Sequence, residues 1–364
     1  MTDIDVAIIG AGLTGLACAR EIAARGKPVC VLERHPRPGL ETSTHNSGVI
    51  HAGLYYPAST LKTRLCIEGR PLLYEFCAAH GVPHSRCGKL VVARAEEELS
   101  ALEALAARAR ANGVERLEIV DRPFIARREP AVDALAAIYS PDTGIVDAET
   151  LVRRLMESAA ERGAVFLPGT PLIDAAPTSG SITLTTASER IAARQVVNAA
   201  GLYADDVSRM LGARAFSIYP CRGEYAELAP RQRHLVNGLV YPLPHDPAHG
   251  LGVHLTRSVA GNVWIGPTAK YQNRKDDYES DRLPLEAFVE PVRRLLPEVT
   301  MADLRLSGAG IRPRLHPPNV SFADFMIERD RENANVVQAA GIESPGLTSC
   351  LAIARMVADI VDQV

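Results

Sequence analysis

Nowhere in its 364 residues does the chain string together 18 apolar side chains, so no stretch reads as a membrane-spanning helix. It also lacks a basic excess: 40 Lys and Arg stand against 43 Asp and Glu, a formal net charge of −3, and no Lys/Arg-rich stripe stands out. A nucleic-acid binder would ordinarily show one or the other. Aromatic residues make up only 5%, with a single Trp, which leaves little for stacking on bases. The seven cysteines (Cys18, Cys30, Cys66, Cys77, Cys87, Cys221, Cys350) are odd in number and include no Cys-x-x-Cys pair. That pattern points to a reducing compartment and to no zinc site. The first residues carry neither a basic region nor a small-residue cleavage site, so no secretory signal is expected. The location this implies is cytoplasmic, with peripheral contact at the inner face of a membrane left open.

The length suggests roughly two domains at about 150 residues each, and 47% hydrophobic with 23% charged residues is the make-up of an ordinary globular protein. The clearest signal comes first. Val6-Ala7-Ile8-Ile9 is a continuous apolar run ending at Gly10-Ala11-Gly12-Leu13-Thr14-Gly15. Leu16, Ala17, Ala19, Ile22 and Ala23 then recur at helical spacing, and Val29-Cys30-Val31-Leu32 reads as a second strand ending at Glu33. In such a strand–turn–helix, Gly10 permits the tight turn, Gly12 lets the backbone approach a pyrophosphate and Gly15 lets helix and strand pack closely. The helix start at Leu13 and Thr14 offers N–H groups and a positive dipole end to phosphates. Glu33 can accept hydrogen bonds from ribose hydroxyls, where an Arg would favour a 2′-phosphate, so the nucleotide expected is FAD or NAD rather than NADP.

Three further segments favour the flavin. After Glu33 the chain does not continue into regular βα units. Arg34 to Gly39 holds two prolines, and Glu41-Thr42-Ser43-Thr44-His45-Asn46-Ser47-Gly48 follows as a polar loop suited to wrapping a pyrophosphate and the edge of a large ring system. Gln195-Val196-Val197-Asn198-Ala199-Ala200-Gly201 reads as an apolar strand stopped by small residues that can approach a cofactor. Gly341-Ile342-Glu343-Ser344-Pro345-Gly346-Leu347-Thr348 precedes a helix with Leu351, Ile353, Val357, Ile360 and Val361 among its apolar positions. A helix start of this kind favours negative charge developing on a reduced flavin. Taken singly, each segment also reads as an ordinary turn or helix cap.

Together these pieces resemble the D-amino-acid-oxidase-like superfamily of flavoenzymes. A closer resemblance is to the L-2-hydroxyglutarate dehydrogenase/oxidase family. It is carried by His45-Asn46-Ser47-Gly48-Val49-Ile50-His51-Ala52-Gly53-Leu54-Tyr55-Tyr56-Pro57, by Ser59-Thr60-Leu61-Lys62, Cys66 and Gly69, and by Cys87-Gly88-Lys89-Leu90. Arg222-Gly223-Glu224-Tyr225, Gly252-Val253-His254-Leu255-Thr256 and Gly308-Ala309-Gly310-Ile311-Arg312-Pro313 fit the same family. The resemblance implies an α/β chain (α+β overall): a Rossmann-like FAD-binding domain with an interleaved, mostly antiparallel substrate domain. The cofactor pieces fall at 1–85, 143–210 and 320–364, and the substrate pieces at 86–142 and 211–319. It also implies oxidation of L-2-hydroxyglutarate to 2-oxoglutarate by hydride transfer to flavin N5, with electrons passed to a quinone, another carrier or oxygen.

That chemistry needs a base for the hydroxyl proton and cations for the carboxylates. Among the ten histidines, His51 and His254 stand in the family-like motifs on short apolar segments and are the candidate bases, with the choice between them open. Arg312 is the candidate grip on a substrate carboxylate. A five-carbon dicarboxylate needs a second cationic contact, for which Lys62, Arg222 and Arg257 are candidates. Tyr55 and Tyr56 serve as hydrogen-bond donors or as packing, and His45 is a further candidate point of flavin attachment. Asp147 is expected to cap a helix from Ala148 to Ala160. The rival readings are an amino-acid or secondary-amine oxidase of the same fold, a flavin-binding sensor without turnover, and an NAD dehydrogenase.

Overall fold

The computed structural model describes residues 4–178, 180–244 and 252–363. Ile4–Ile9 is a strand, and both its neighbours in space run parallel to it: Val29–Leu32 on one side and Arg190–Asn198 on the other. Val165–Leu167 extends this sheet beyond Val29–Leu32, and Val336–Ala340 pairs in parallel with the end of Arg190–Asn198. The central residues of this sheet, among them Val6, Ile8, Val31, Val196, Val197 and Val336, are apolar and buried because both faces are covered there, as parallel sheets require. One face is packed by the helices Leu13–Ala24, Leu61–Ala79, Ala148–Ala160 and Gly346–Val361. The helix Leu13–Ala24 touches both Ala148–Ala160 and Gly346–Val361, so the first and last helices of the chain share one layer. The expected cap is present: the Asp147 side chain accepts from the Thr150 N–H at 2.7 Å.

A second, nine-stranded sheet runs in the order Lys270–Tyr271, Tyr219–Leu228, Val263–Gly266, His254–Arg257, Leu239–Pro242, Lys89–Ala93, Ala136–Ser140 and Glu118–Asp121, with the long strand Leu304–Arg314 also paired to Tyr219–Leu228. Every pairing in it is antiparallel except that of Leu239–Pro242 with Lys89–Ala93. One face of this sheet carries Leu90, Val92, Val240, Leu255, Val263 and Ile265 into a core with Phe288, Val292 and Leu296. Alternation along the strands sends the residues between them to the other face, towards the C-terminal edge of the parallel sheet. The expected fold class is borne out. Among the described residues no helix is long and apolar enough to cross a membrane.

Candidate active site

A cavity of 660 Å³ lies between the two sheets, lined on one side by the C-terminal ends of the parallel strands at Ile9, Leu32 and Ala199 and on the other by Gly223, Tyr225, Tyr241, His254 and Arg312. The volume is that of a ligand or cofactor site, and the crevice beyond the strand ends is where open parallel sheets bind nucleotides.

The glycine turn is built as its spacing requires. Gly10 has φ +102°, and a Cβ on Gly15 would lie 1.9 Å from the Gly10 carbonyl oxygen, so any side chain there would push helix and turn apart. Gly15 therefore packs behind the cavity rather than lining it. The helix has no side-chain cap on its own N-cap residue, Gly12; instead the Leu13 N–H donates to Ser43 Oγ at 2.9 Å. This brings the polar loop onto the helix start and leaves first-turn amides for an anion. Glu33, buried, accepts from the Ala11 N–H at 2.8 Å and from the His35 N–H at 2.9 Å, one bond per oxygen. Each oxygen keeps acceptor capacity. Arg34, Thr14, Ala200 and Gly201 line the same end.

In the loop, Asn46 donates to the Thr42 and Ser43 carbonyls and accepts from the Gly48 N–H, so its side chain is spent on holding the loop's shape. Thr42 Oγ1 donates to the Ile311 carbonyl at 2.8 Å, tying the loop to the second sheet. The His45 ring packs tilted against Tyr278, ring centres 4.8 Å apart, and the Tyr278 hydroxyl donates to Glu41. Ser47 and Gly48 line the cavity, as do Ser344, Pro345, Gly346 and Leu347 from the last helix start. Gly341 and Thr348 do not. Gly341 lies under the Leu315 side chain, and the Thr348 hydroxyl accepts from the His51 N–H at 2.9 Å, fixing that backbone from behind.

Both candidate histidines reach the cavity. His51 Nε2 faces Ser344 Oγ at 3.2 Å, and the same hydroxyl faces Tyr56 OH at 3.3 Å. Burial pushes the His51 imidazole well below its ordinary pKa, with Lys89 and His254 adding to the effect. His254 Nδ1 lies 2.9 Å from the Gly252 carbonyl, an acceptor, so Nδ1 carries the proton and Nε2 keeps its lone pair. Burial, against the opposing Gly252 bond and helped by Lys89 and Arg312, takes this imidazole down to about 3. Its ring stacks on Tyr241 at 3.8 Å.

Arg312 points into the cavity, and among the described residues its guanidinium has only the Thr268 carbonyl, 3.3 Å away, and the Cys221 sulfur as hydrogen-bond partners. Gly223 opposite it is what makes room: a Cβ there would lie 2.8 Å from Nη2. Lys62 is buried, its Nζ 2.9 Å from Glu343 Oε1, and Arg314 holds the other oxygen at 3.2 Å. Burial alone would raise the Glu343 carboxyl, but the two cations outweigh it and hold it at about 2.

Two expected residues are elsewhere. Arg257 is three positions from His254 on one strand and so faces the opposite side of the sheet, where it donates to the Arg233 and Val236 carbonyls. Arg222 alternates with Cys221 and Gly223 in the same way and is buried against Glu224 at 2.9 Å. Arg314, Glu343 and Tyr225 line the cavity without having been singled out. For Arg314 the signal was there, since it follows Arg312 by two in a strand and must share its face.

A nucleotide turn at a parallel sheet edge, facing an antiparallel sheet that presents a histidine and an arginine, defines a dinucleotide-dependent oxidoreductase. The FAD dependent oxidoreductase family matches residues 5–360. The mitochondrial L-2-hydroxyglutarate dehydrogenase of Bos taurus is 32% identical over 413 aligned residues, covering 100% of this chain and 89% of that protein. That of Nematostella vectensis is 33% identical, covering 98% and 90%. The L-alpha-glycerophosphate oxidase of Mycoplasma pneumoniae, solved with FAD bound, superposes with a TM-score of 0.91 at 26% identity, covering 100% of this chain and 95% of that one. The chain belongs to the FAD-dependent oxidoreductases and, within them, to the L-2-hydroxyglutarate dehydrogenase family.

Its cofactor is therefore FAD, and the nicotinamide reading falls away. The expected cytoplasmic location, with its contact at the inner face of a membrane, is overturned, since these relatives are named as mitochondrial. All seven cysteines are free, six of them buried, so no disulfide holds the fold.

Proposed function

We propose that this chain oxidises L-2-hydroxyglutarate to 2-oxoglutarate, with a quinone, another carrier or oxygen as the final acceptor. The observation that carries the substrate is the charge at one end of the cavity. Among the described residues, Arg312, Arg314 and Lys62 stand against a single carboxylate there, Glu343, and the positive excess is the complement of a dicarboxylate. Arg312, with no ion-paired acidic partner among the described residues, takes the carboxylate next to the reacting carbon, where a bidentate grip fixes the direction of the C2 hydrogen. An amino-acid substrate fits less well, because the carboxylate that would meet its ammonium is already shared by two cations.

Gly10, Gly12, Leu13, Thr14 and Ser43 would hold the pyrophosphate, Glu33 and Arg34 the ribose end, and the segments 45–48 and 344–347 the ring. Bound FAD supplies the two-electron acceptor for the hydride that leaves C2. His254 Nε2, neutral and unpartnered among the described residues, takes the hydroxyl proton as that hydride departs. His51, with its Nε2 at Ser344 and backbone pinned by Thr348, orients the substrate hydroxyl together with Tyr56.

The test is anaerobic mixing with L-2-hydroxyglutarate, D-2-hydroxyglutarate, sarcosine and a set of amino acids, followed at the flavin band near about 450 nm. Rapid bleaching by the L-hydroxy acid alone is expected. Bleaching by an amine instead would overturn the substrate while keeping the family, and no bleaching by any acid would favour a sensor.

A further inference from the structure

Lys89 has no role in the site as described, yet its side chain is the most costly kind to bury. It is 1% exposed and pairs with no carboxylate among the described residues. An ammonium in that position gives up its hydration for little return unless something nearby uses the charge. Its place in the sheet shows what is near. Leu239 is in register with Lys89 on one side and with Thr256 on the other, and Tyr241, two residues on, is in register with Val91, so Lys89, Tyr241 and His254 share the cavity-facing side of three adjacent strands, with Lys89 diagonal to the other two. The Lys89 Nζ lies 4.7 Å from the Tyr241 ring centre and 4.6 Å from that of Tyr55, and the Tyr241 ring stacks on the His254 imidazole at 3.8 Å. The ammonium and the imidazole are thus within ~9 Å, separated by an aromatic ring rather than water, so the field between them is weakly screened.

We infer that Lys89 is a positioning residue which, through the Tyr241 ring, keeps His254 unprotonated when a dianionic substrate enters. This deepens the reading of His254 as the base and rests on it. Two substrate carboxylates would raise the proton affinity of the nearby imidazole, and a protonated His254 cannot take the hydroxyl proton. A fixed cation behind the ring opposes that rise. The other groups that face this pair do not supply the same effect. Tyr55, from the segment after Ile50, and Tyr241 are phenols that burial keeps protonated, and burial raises the Cys66 thiol of the helix Leu61–Ala79 to about 12. His51 is itself held neutral, and Arg312, the remaining cation, is committed to the substrate carboxylate. Burial takes Lys89 itself down to about 7, so it is half charged at neutral pH and gains its full charge as the pH falls into the range in which the histidine would otherwise titrate.

The experiment compares FAD-loaded wild type with Lys89→Met and Lys89→Arg, and with Lys89→Gln should the Met variant not fold. Two quantities are read: the acid limb of the rate of flavin bleaching by L-2-hydroxyglutarate, and the NMR titration of labelled histidine without substrate, with the His254 signal assigned by its loss in His254→Gln. Removing the charge moves both midpoints up by about one pH unit, and Lys89→Arg keeps both at the wild-type position. If the hydroxy acid does not bleach the flavin, the proposed substrate fails, and the histidine titration still decides the role of Lys89. Midpoints unmoved in the Met or Gln variant, or an Arg variant shifted as far as Met, would overturn the inference.

Discussion

Replacing Glu343 by Gln keeps its shape and removes its charge, leaving Lys62 and Arg314 buried against a neutral amide. The carboxyl is held at about 2 against an ordinary 4.5, and at about 1.4 kcal/mol per unit its ionised form contributes about 3 kcal/mol to the folded state. That agrees with the roughly 3–5 kcal/mol lost when one partner of a buried ion pair is removed. Unfolding entropy of about 2.1 cal/mol/K per residue over 364 residues turns this into a loss of about 4 °C in melting temperature. The sign with pH follows from a depressed acid. The contribution is complete above the unfolded value near 4.5 and is lost as pH falls through the folded value near 2. Thermal unfolding of the two proteins at pH 7.5 and 5.5 should therefore show the same gap at both. A gap below about 1 °C, or one that widens towards acid, would refute the argument. Adding Lys62→Met to the variant should recover part of the loss, since it removes one stranded cation.

Arg312→Met should raise the Michaelis constant for the hydroxy acid by about a hundredfold, the worth of a charge-assisted bidentate contact, with flavin absorbance retained; an unchanged constant removes Arg312 from the carboxylate site. Gly15→Ala drives a Cβ into the Gly10 carbonyl, and the purified protein should be largely free of flavin, which its visible spectrum reports. Arg257→Met should leave the steady-state constants alone while lowering the melting temperature, because it strips donors from two carbonyls on the far side of the sheet. His254, buried and held near 3 against an ordinary 6.5, costs stability as pH drops below 6.5, by up to about 1.4 kcal/mol per unit. Wild type should therefore lose more thermal stability than His254→Gln between pH 7 and 5, and equal losses would show that the ring is not buried in its neutral form.

Local chemistry was enough to read the nucleotide end from residue order. A tight turn, a helix start and an acid at a strand tip are all made within about thirty residues, so the spacing of Gly10, Gly12, Gly15 and Glu33 already carries the geometry. The Asp147 cap was legible for the same reason. The substrate end was legible in residue type but not in placement. His254 and Arg257 lie three apart and look equivalent as candidates. Only the strand they share, with His254 and Thr256 on one face and Leu255 in the opposite core, shows that one meets the cavity and the other cannot.

The sequence by itself determined the class of protein, the cofactor turn and the elements that carry the candidate base and arginine, because these depend on contacts between near neighbours or on side-chain chemistry. Tertiary structure alone decided which cations remain free. Lys62 and Glu343 are separated by 281 positions and meet only when the second helix packs against the last. Lys89 reaches His254 only across three adjacent strands, the first two paired in parallel although Lys89 and Leu239 stand far apart along the chain. A charge is defined for function by its partner, and partners this far apart along the chain are chosen by packing.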